Sequence, residues 1–183
     1  MTPAYCFAPI EDANATVLIL GSMPGKASLR AGQYYAHPRN LFWPILGELV
    51  GADLALSYQE RTRGLQSAGI ALWDVLESCV RATSLDSDIE NNSLVPNDFT
   101  SFFSSHPKIA RVYFNGAKAE ECYRKHVLPT VAKEPIIYER LPSTSPTNAS
   151  MSYAQKLVAW ETIVKQRQTI RSTRGRTTTV RAG

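Results

Sequence analysis

The chain is poor in the residues that build metal sites and disulfide scaffolds. Its 183 residues include three cysteines and three histidines. Cys6, Cys79 and Cys122 are odd in number and widely spaced, and no C-x-x-C occurs. That pattern argues against a disulfide framework, a zinc site or an iron–sulfur cluster, and fits a reduced, cytoplasmic compartment. His106 and His126 have no cysteine or carboxylate partner at ligand spacing, so no metal and no cofactor are expected. No run of about 18 apolar residues is present, which excludes a helical membrane span. The N-terminus lacks the basic start and apolar block of a secretory leader. Missing too are the Gly-Lys-Ser/Thr ending of a P-loop, the glycine spacing of a dinucleotide fingerprint and the Gly-x-Ser-x-Gly elbow of serine hydrolases.

A global electrostatic field is also lacking, despite a net charge of +4. Five arginines (Arg167, Arg171, Arg174, Arg176, Arg181) and no acid lie in the last 18 residues, leaving 15 basic against 16 acidic side chains before them. Affinity for an anion must then come from local placement. Residues 166–183, rich in Thr and Arg, read as a disordered basic tail, either simply solvated or acting as a loose tether to phosphates. Residues 1–165 have ordinary globular composition and read as one domain.

Along that domain, strand-like and helix-like segments alternate. Strands are expected over Thr16–Gly21, Ile70–Leu76, Ala110–Phe114 and Pro135–Leu141. Helices are expected over Asn40–Val50, Tyr58–Ser67, Asp98–Ser105, Ala117–Val127 and Ser152–Lys165, with Asp86–Asn97 as a polar loop. The alternation implies an α/β three-layer sandwich, a central, mostly parallel four-stranded sheet flanked by helices. Ligands of such sheets sit beyond the carboxyl ends of the strands. Three loops should meet there: Gly21-Ser22-Met23-Pro24-Gly25, Asn115-Gly116 and Pro142-Ser143-Thr144-Ser145.

Each loop supports two readings. The glycines of the first permit close backbone approach to a ligand, or merely a tight turn. Tyr34 and Tyr35 are flat platforms, and an aromatic face stacked on a base is worth roughly 1–3 kcal/mol. Neighbouring side chains diverge, so one of the two should face the pocket; Tyr35, nearer His37-Pro38, is the choice. Asn40 either satisfies backbone donors of the helix that follows or positions a water or a sugar. An amide does not ionise, so catalysis through it would rest on orientation and electrostatics, which suits a dissociative, oxocarbenium-like transition state. His37 is a structural partner or a phosphate donor. Asn115 ends a turn or reads a base edge with one carbonyl and one ring N–H; its amide alone does not decide the base. Ser143, Thr144 and Ser145 cap a helix or contact DNA phosphates.

Taken together, Gly21–Gly25, the Tyr34–Trp43 run, Phe114-Asn115-Gly116 and Leu141-Pro142-Ser143-Thr144-Ser145-Pro146 resemble the uracil-DNA glycosylase superfamily. The nearest pattern is its hypoxanthine-DNA glycosylase, or DNA-deoxyinosine glycosylase, branch. The resemblance spans about Val17 to Lys165. The mismatch-specific branch carries an Asn in the first loop, where this chain has Ser22-Met23, and the classical enzymes carry an Asp there. The histidine of the classical His-Pro-Ser loop is replaced by Leu141.

The resemblance implies a monofunctional base-excision repair enzyme, acting as a monomer on damaged, deoxyinosine-containing DNA. It implies that catalysis moves to Asn40. Tyr35, Phe42, Asn115, Ser22 and Met23 would hold the flipped base, and Pro24, Gly25, Ser143, Thr144 and Ser145 would line the DNA backbone. A uracil or mismatch-specific glycosylase and a non-catalytic nucleic-acid-binding module remain open alternatives.

Overall fold

A computed structural model describes residues 3–83, 85, 88–131 and 135–165. The expected basic tail, 166–183, lies outside the described residues. Four parallel strands form the central sheet: β2 (Val17–Gly21), β3 (Ile70–Asp74), β6 (Arg111–Asn115) and β7 (Ile137–Leu141), in spatial order β3-β2-β6-β7. Parallel strands covered on both faces read as continuous apolar runs, and Val-Leu-Ile-Leu of β2 is fully buried.

Alternate residues of each strand point to opposite faces, and two separate cores follow. Val17, Ile19, Ile70, Leu72 and Tyr113 pack with Phe42, Trp43, Ile45, Leu46, Leu65, Trp160 and Ile163. These come from α2 (Phe42–Val50), α3 (Tyr58–Ser67), α6 (Tyr153–Trp160) and the turn beyond it. Leu18, Leu20, Ala71, Val112 and Phe114 pack on the other face, against α4 (Phe99–Ser105) and α5 (Ala117–Cys122). The layers are therefore helix, sheet, helix, as the sequence implied.

Local chemistry sets the helix starts. Ser57 with Glu60, and Ser152 with Gln155, form reciprocal capping boxes. The Asp98 carboxylate accepts from the Ser101 N–H.

Several expectations need correction. The strand begun at Ile70 stops at Asp74. After Val75 the chain leaves as β4 (Leu76–Cys79), which joins β1 (Ala4–Tyr5) and β5 (Val95–Pro96) in a small antiparallel sheet of order β1-β4-β5. The 86–97 stretch is thus not all loop; its described part holds a 3₁₀ turn (Asn91–Ser93) as well as β5. The helix from Ala117 loosens into a π turn over Tyr123–Val127. A short helix, α1 (Lys26–Ala31), follows the first loop and was not expected. The second helix begins at Phe42, because Asn40 and Leu41 lie in the turn that starts it.

Sheet order places the site. From β2 the chain moves outward to β3; from β3 it returns past β2 to β6 and then to β7. The direction of winding reverses between β2 and β6, and in open α/β sheets a crevice forms at that switch point. The register sets Gly21 opposite Asp74 and Asn115 opposite Leu141, so the strand ends are level.

Candidate active site

At those strand ends lies a cleft of about 530 Å³, walled by 21–28, Tyr34, Tyr35, His37, Arg39, Asn40, Asp74, Leu85, Asn115 and 143–147. The three loops expected to converge do so.

The first loop is pinned from below. The Gly21 and Ser22 carbonyls accept from the backbone N–H groups of Val75 and Leu76. The buried Arg81 guanidinium donates to the Pro24 carbonyl, and Lys26 Nζ donates to the Ala82 carbonyl at 2.9 Å. Ser22 and Met23 are buried on the cleft wall, with the Met23 side chain in the apolar core. Gly21 is required by close approach. A β-carbon there would lie 2.3 Å from Asp74 Oδ1 and 2.9 Å from the Tyr35 hydroxyl oxygen.

The tyrosine pair diverges. Tyr34 is 3% exposed; its hydroxyl donates to the Phe7 and Ala8 carbonyls, and its own carbonyl accepts from Trp43 Nε1 at 2.8 Å. Burial, then the negative charge of Asp74, pushes its phenol far above the ordinary range. Tyr35 is half-buried with φ of 54°, the left-handed region that non-glycine residues seldom occupy. Its ring stacks on Phe42, with centroids 4.1 Å apart and planes inclined by 21°. Phe42 is completely buried and does not line the cleft. The expectation that it touches the base is corrected: Tyr35 covers it, and Phe42 backs the platform.

Asn40 lines the cleft, with its Oδ1 accepting from the Phe42 N–H at 2.9 Å. A backbone N–H can be met only by the amide oxygen. That orients the side chain, and the NH₂ group, which makes no hydrogen bond among the described residues, is the end left for a ligand. The oxygen of Asn40 thus organises the start of α2, and its donor end is oriented by that bond. His37 Nδ1 accepts from the Arg39 N–H at 3.1 Å, so any proton on the neutral ring sits on Nε2.

The third loop is latched to β6. Asn115 Oδ1 accepts from the Thr144 N–H and Asn115 Nδ2 donates to Thr144 Oγ1, both at 2.9 Å. The Thr144 carbonyl accepts from the Leu41 N–H, and the Pro142 carbonyl from Trp160 Nε1. Thr144 is fully buried. Its expected phosphate contact is corrected to a latch, while Ser143 and Ser145 beside it stay partly exposed on the cleft wall. Asn148 Nδ2 donates to the Ser143 carbonyl, and the buried Lys156 amine donates to the Asn148 carbonyl at 2.7 Å. Desolvation pulls that amine below the usual lysine range. Gly116, with φ of 98°, has Ser143 where a β-carbon would project.

Sequence reasoning missed Asp74, Lys26 and Arg39 on the cleft, and Lys156 behind it. Lys26 and Arg39 are exposed and give the rim positive charge. The signal for Asp74 was a carboxylate closing an otherwise apolar strand, Ile-Ala-Leu-Trp-Asp, at the end where ligands bind.

The sequence profile of the uracil DNA glycosylase superfamily matches residues 8–164. The chain belongs to that superfamily. A hypoxanthine DNA glycosylase of Methanosarcina acetivorans is 34% identical over 166 residues, covering 87% of this chain and 96% of the relative. A hypoxanthine DNA glycosylase of Methanosarcina barkeri is 40% identical over 116 residues, 63% of this chain and 72% of the relative. Among solved structures, the NMR structure of a candidate uracil DNA glycosylase from M. acetivorans superposes with a TM-score of 0.72 at 30% identity, over 89% of this chain and 99% of that one. Within this glycosylase superfamily member, no group of three or more His, Cys, Asp or Glu suited to a metal occurs among the described residues. No described helix is long and apolar enough to cross a membrane.

Proposed function

We propose that this protein is a monofunctional DNA glycosylase that releases hypoxanthine, the deamination product of adenine, from DNA. The choice of base is carried by the near full-length likeness to a relative named for hypoxanthine. The cleft chemistry is consistent with it. A base too deep in the duplex to be reached must be flipped out, and a weak inosine mismatch costs least to open. The flipped purine stacks on the Tyr35 ring, which Phe42 supports from behind. The Asn115 proton not engaged by Thr144 donates to the purine O6.

Hydrolysis then needs little of an acid or a base. As the C1′–N9 bond breaks, its electron pair leaves with the purine and the sugar becomes cationic. A water oxygen bonds to C1′, and the water proton is released as the departing base takes one up. The Asn40 NH₂ group holds that water by donating to its oxygen, which fixes the attack line without a strong base. Backbone donors near Ser22 and Met23 stabilise negative charge on the base. Ser143, Ser145 and Gly25 grip phosphates beside the flipped nucleotide, helped by the charges of Lys26 and Arg39.

The test uses end-labelled duplexes with one hypoxanthine or one uracil, followed by alkali to break abasic sites. Strand breaks at hypoxanthine, dependent on alkali and faster than at uracil, are expected. Binding without abasic product, or faster release of uracil, overturns the proposal.

A further inference from the structure

We infer that Asp74 sets the specificity of this cleft by accepting the N1 proton of the purine, and so distinguishes hypoxanthine from adenine. This inference rests on the function proposed above.

Asp74 is the one carboxylate on the cleft wall among the described residues. It is 3% exposed, although it ends a strand at the ligand-binding edge. Its position is imposed from three sides. Strand register sets it opposite Gly21. Its backbone carbonyl accepts from Asn97 Nδ2 at 2.9 Å. Its Oδ1 lies 2.3 Å from where a β-carbon on residue 21 would sit, and the Tyr35 hydroxyl oxygen lies 2.9 Å from the same point. The carboxylate therefore sits at the hydroxyl end of the ring on which the base stacks. A purine lying on Tyr35 turns an edge toward it.

An ionised carboxylate only accepts hydrogen bonds. Hypoxanthine offers N1–H, and its O6 then faces a donor, the role given to Asn115. Adenine reverses both groups. Its N1 lone pair would face the carboxylate with no proton between them, and its amino group would face a donor. Adenine is the base that such an enzyme must leave alone, since it is the normal counterpart of the lesion. The Asn115 amide cannot enforce that choice by itself, because its Oδ1 keeps a second lone pair beside the bond from the Thr144 N–H and its Nδ2 keeps a free proton, so it can meet an acceptor or a donor. A carboxylate, unlike an amide, has no donor face to rotate toward adenine. Sites built around a required hydrogen bond reject analogues that lack it by roughly 10⁴–10⁵.

The test measures single-turnover release of hypoxanthine, 1-methylhypoxanthine and adenine from the same oligonucleotide. Wild type should release hypoxanthine at least roughly 10²-fold faster than 1-methylhypoxanthine, in which a methyl group replaces the N1 proton. Asp74→Asn should slow hypoxanthine release and lower the hypoxanthine-to-adenine ratio by roughly 10²-fold or more, because an amide can present either end. Asp74→Ala should narrow the gap between hypoxanthine and its 1-methyl form. A purely structural role would slow every base alike and leave the ratios unchanged. Unchanged ratios in both variants, or equal wild-type release of the methylated base, would overturn the inference while leaving the proposed function intact. If either variant fails to fold, the wild-type comparison still decides. A wild type that releases no hypoxanthine at all removes the proposed function, and this inference with it.

Discussion

Replacing Asn40 separates its two ends. The oxygen accepts the Phe42 N–H at 2.9 Å, and the NH₂ group of this cleft residue makes no hydrogen bond among the described residues. Asn40→Ala removes both; Asn40→Asp keeps the acceptor and exchanges the donor for a negative oxygen. Loss of a helix-start acceptor costs about 1 kcal/mol, within a range of roughly 0.5–2. Asn40→Ala should therefore melt slightly lower than wild type, and Asn40→Asp should melt close to it. If the NH₂ group does the catalytic work, removal of one preorganised donor should slow single-turnover hypoxanthine release by roughly 10²–10³-fold in both variants. Binding of inosine-containing DNA should change far less, because the contact matters most in the transition state. Thermal melts, binding titrations and single-turnover kinetics on the three proteins give the answer. Wild-type activity in Asn40→Asp would mean that an acceptor, not a donor, is needed there. A wild-type rate in folded Asn40→Ala would leave Asn40 with only its role at the start of α2.

Three further outcomes follow from the same contacts. Gly21→Ala puts a methyl group 2.3 Å from Asp74 Oδ1; it should cost about 1–3 kcal/mol by overpacking and slow hypoxanthine release by roughly 10²-fold through misplacement of the site, and a variant with the wild-type rate would contradict that crowding. Asn115→Ala strips the buried Thr144 of two partners and should cost about 1–3 kcal/mol for each group left unpaired, against about 1 kcal/mol for Thr144→Val, which keeps the backbone bond; equal urea midpoints for the two would show that the latch does not hold the loop. Lys156 supplies a pH test. Its folded-state value lies below the ordinary 10.5, so the unfolded chain holds that proton to higher pH, and stability from this residue rises between the depressed value and 10.5. Denaturation of wild type and Lys156→Met at neutral and alkaline pH should show their difference shifting in favour of wild type as pH rises, and a constant difference would mean the amine is not desolvated.

Much of this architecture is legible in local signals. The unbroken apolar run of β2 marks a strand covered on both faces. The capping boxes at Ser57 and Ser152 mark where α3 and α6 begin, and the Gly21–Gly25, Asn115-Gly116 and Pro142–Ser145 punctuation marks the strand ends that meet at the cleft. What escapes is information held in pairing. Two-residue strands such as β1 and β5 have too few positions to show alternation, and α1, at six residues, is too short for a helical period. The exit of β4 from the main sheet after Val75 leaves no mark in an apolar sequence that runs on through Leu76. Phe42 is the instructive case within the site. Its motif suggests a base contact, yet only the fold shows Tyr35 lying over it. Asp74 is the converse: it reaches the cleft wall because the register of β2 and β3 sets it beside Gly21, fifty-odd residues earlier in the chain.

The most direct test of the central claim is the identity of the product. After single-turnover reaction with a duplex containing both hypoxanthine and uracil, the released bases are separated and weighed by mass spectrometry, and abasic sites are counted on the strand. One free hypoxanthine for every abasic site, with uracil appearing only later, is the result expected. Uracil released first, or DNA bound with no free base and no abasic site, would contradict the account.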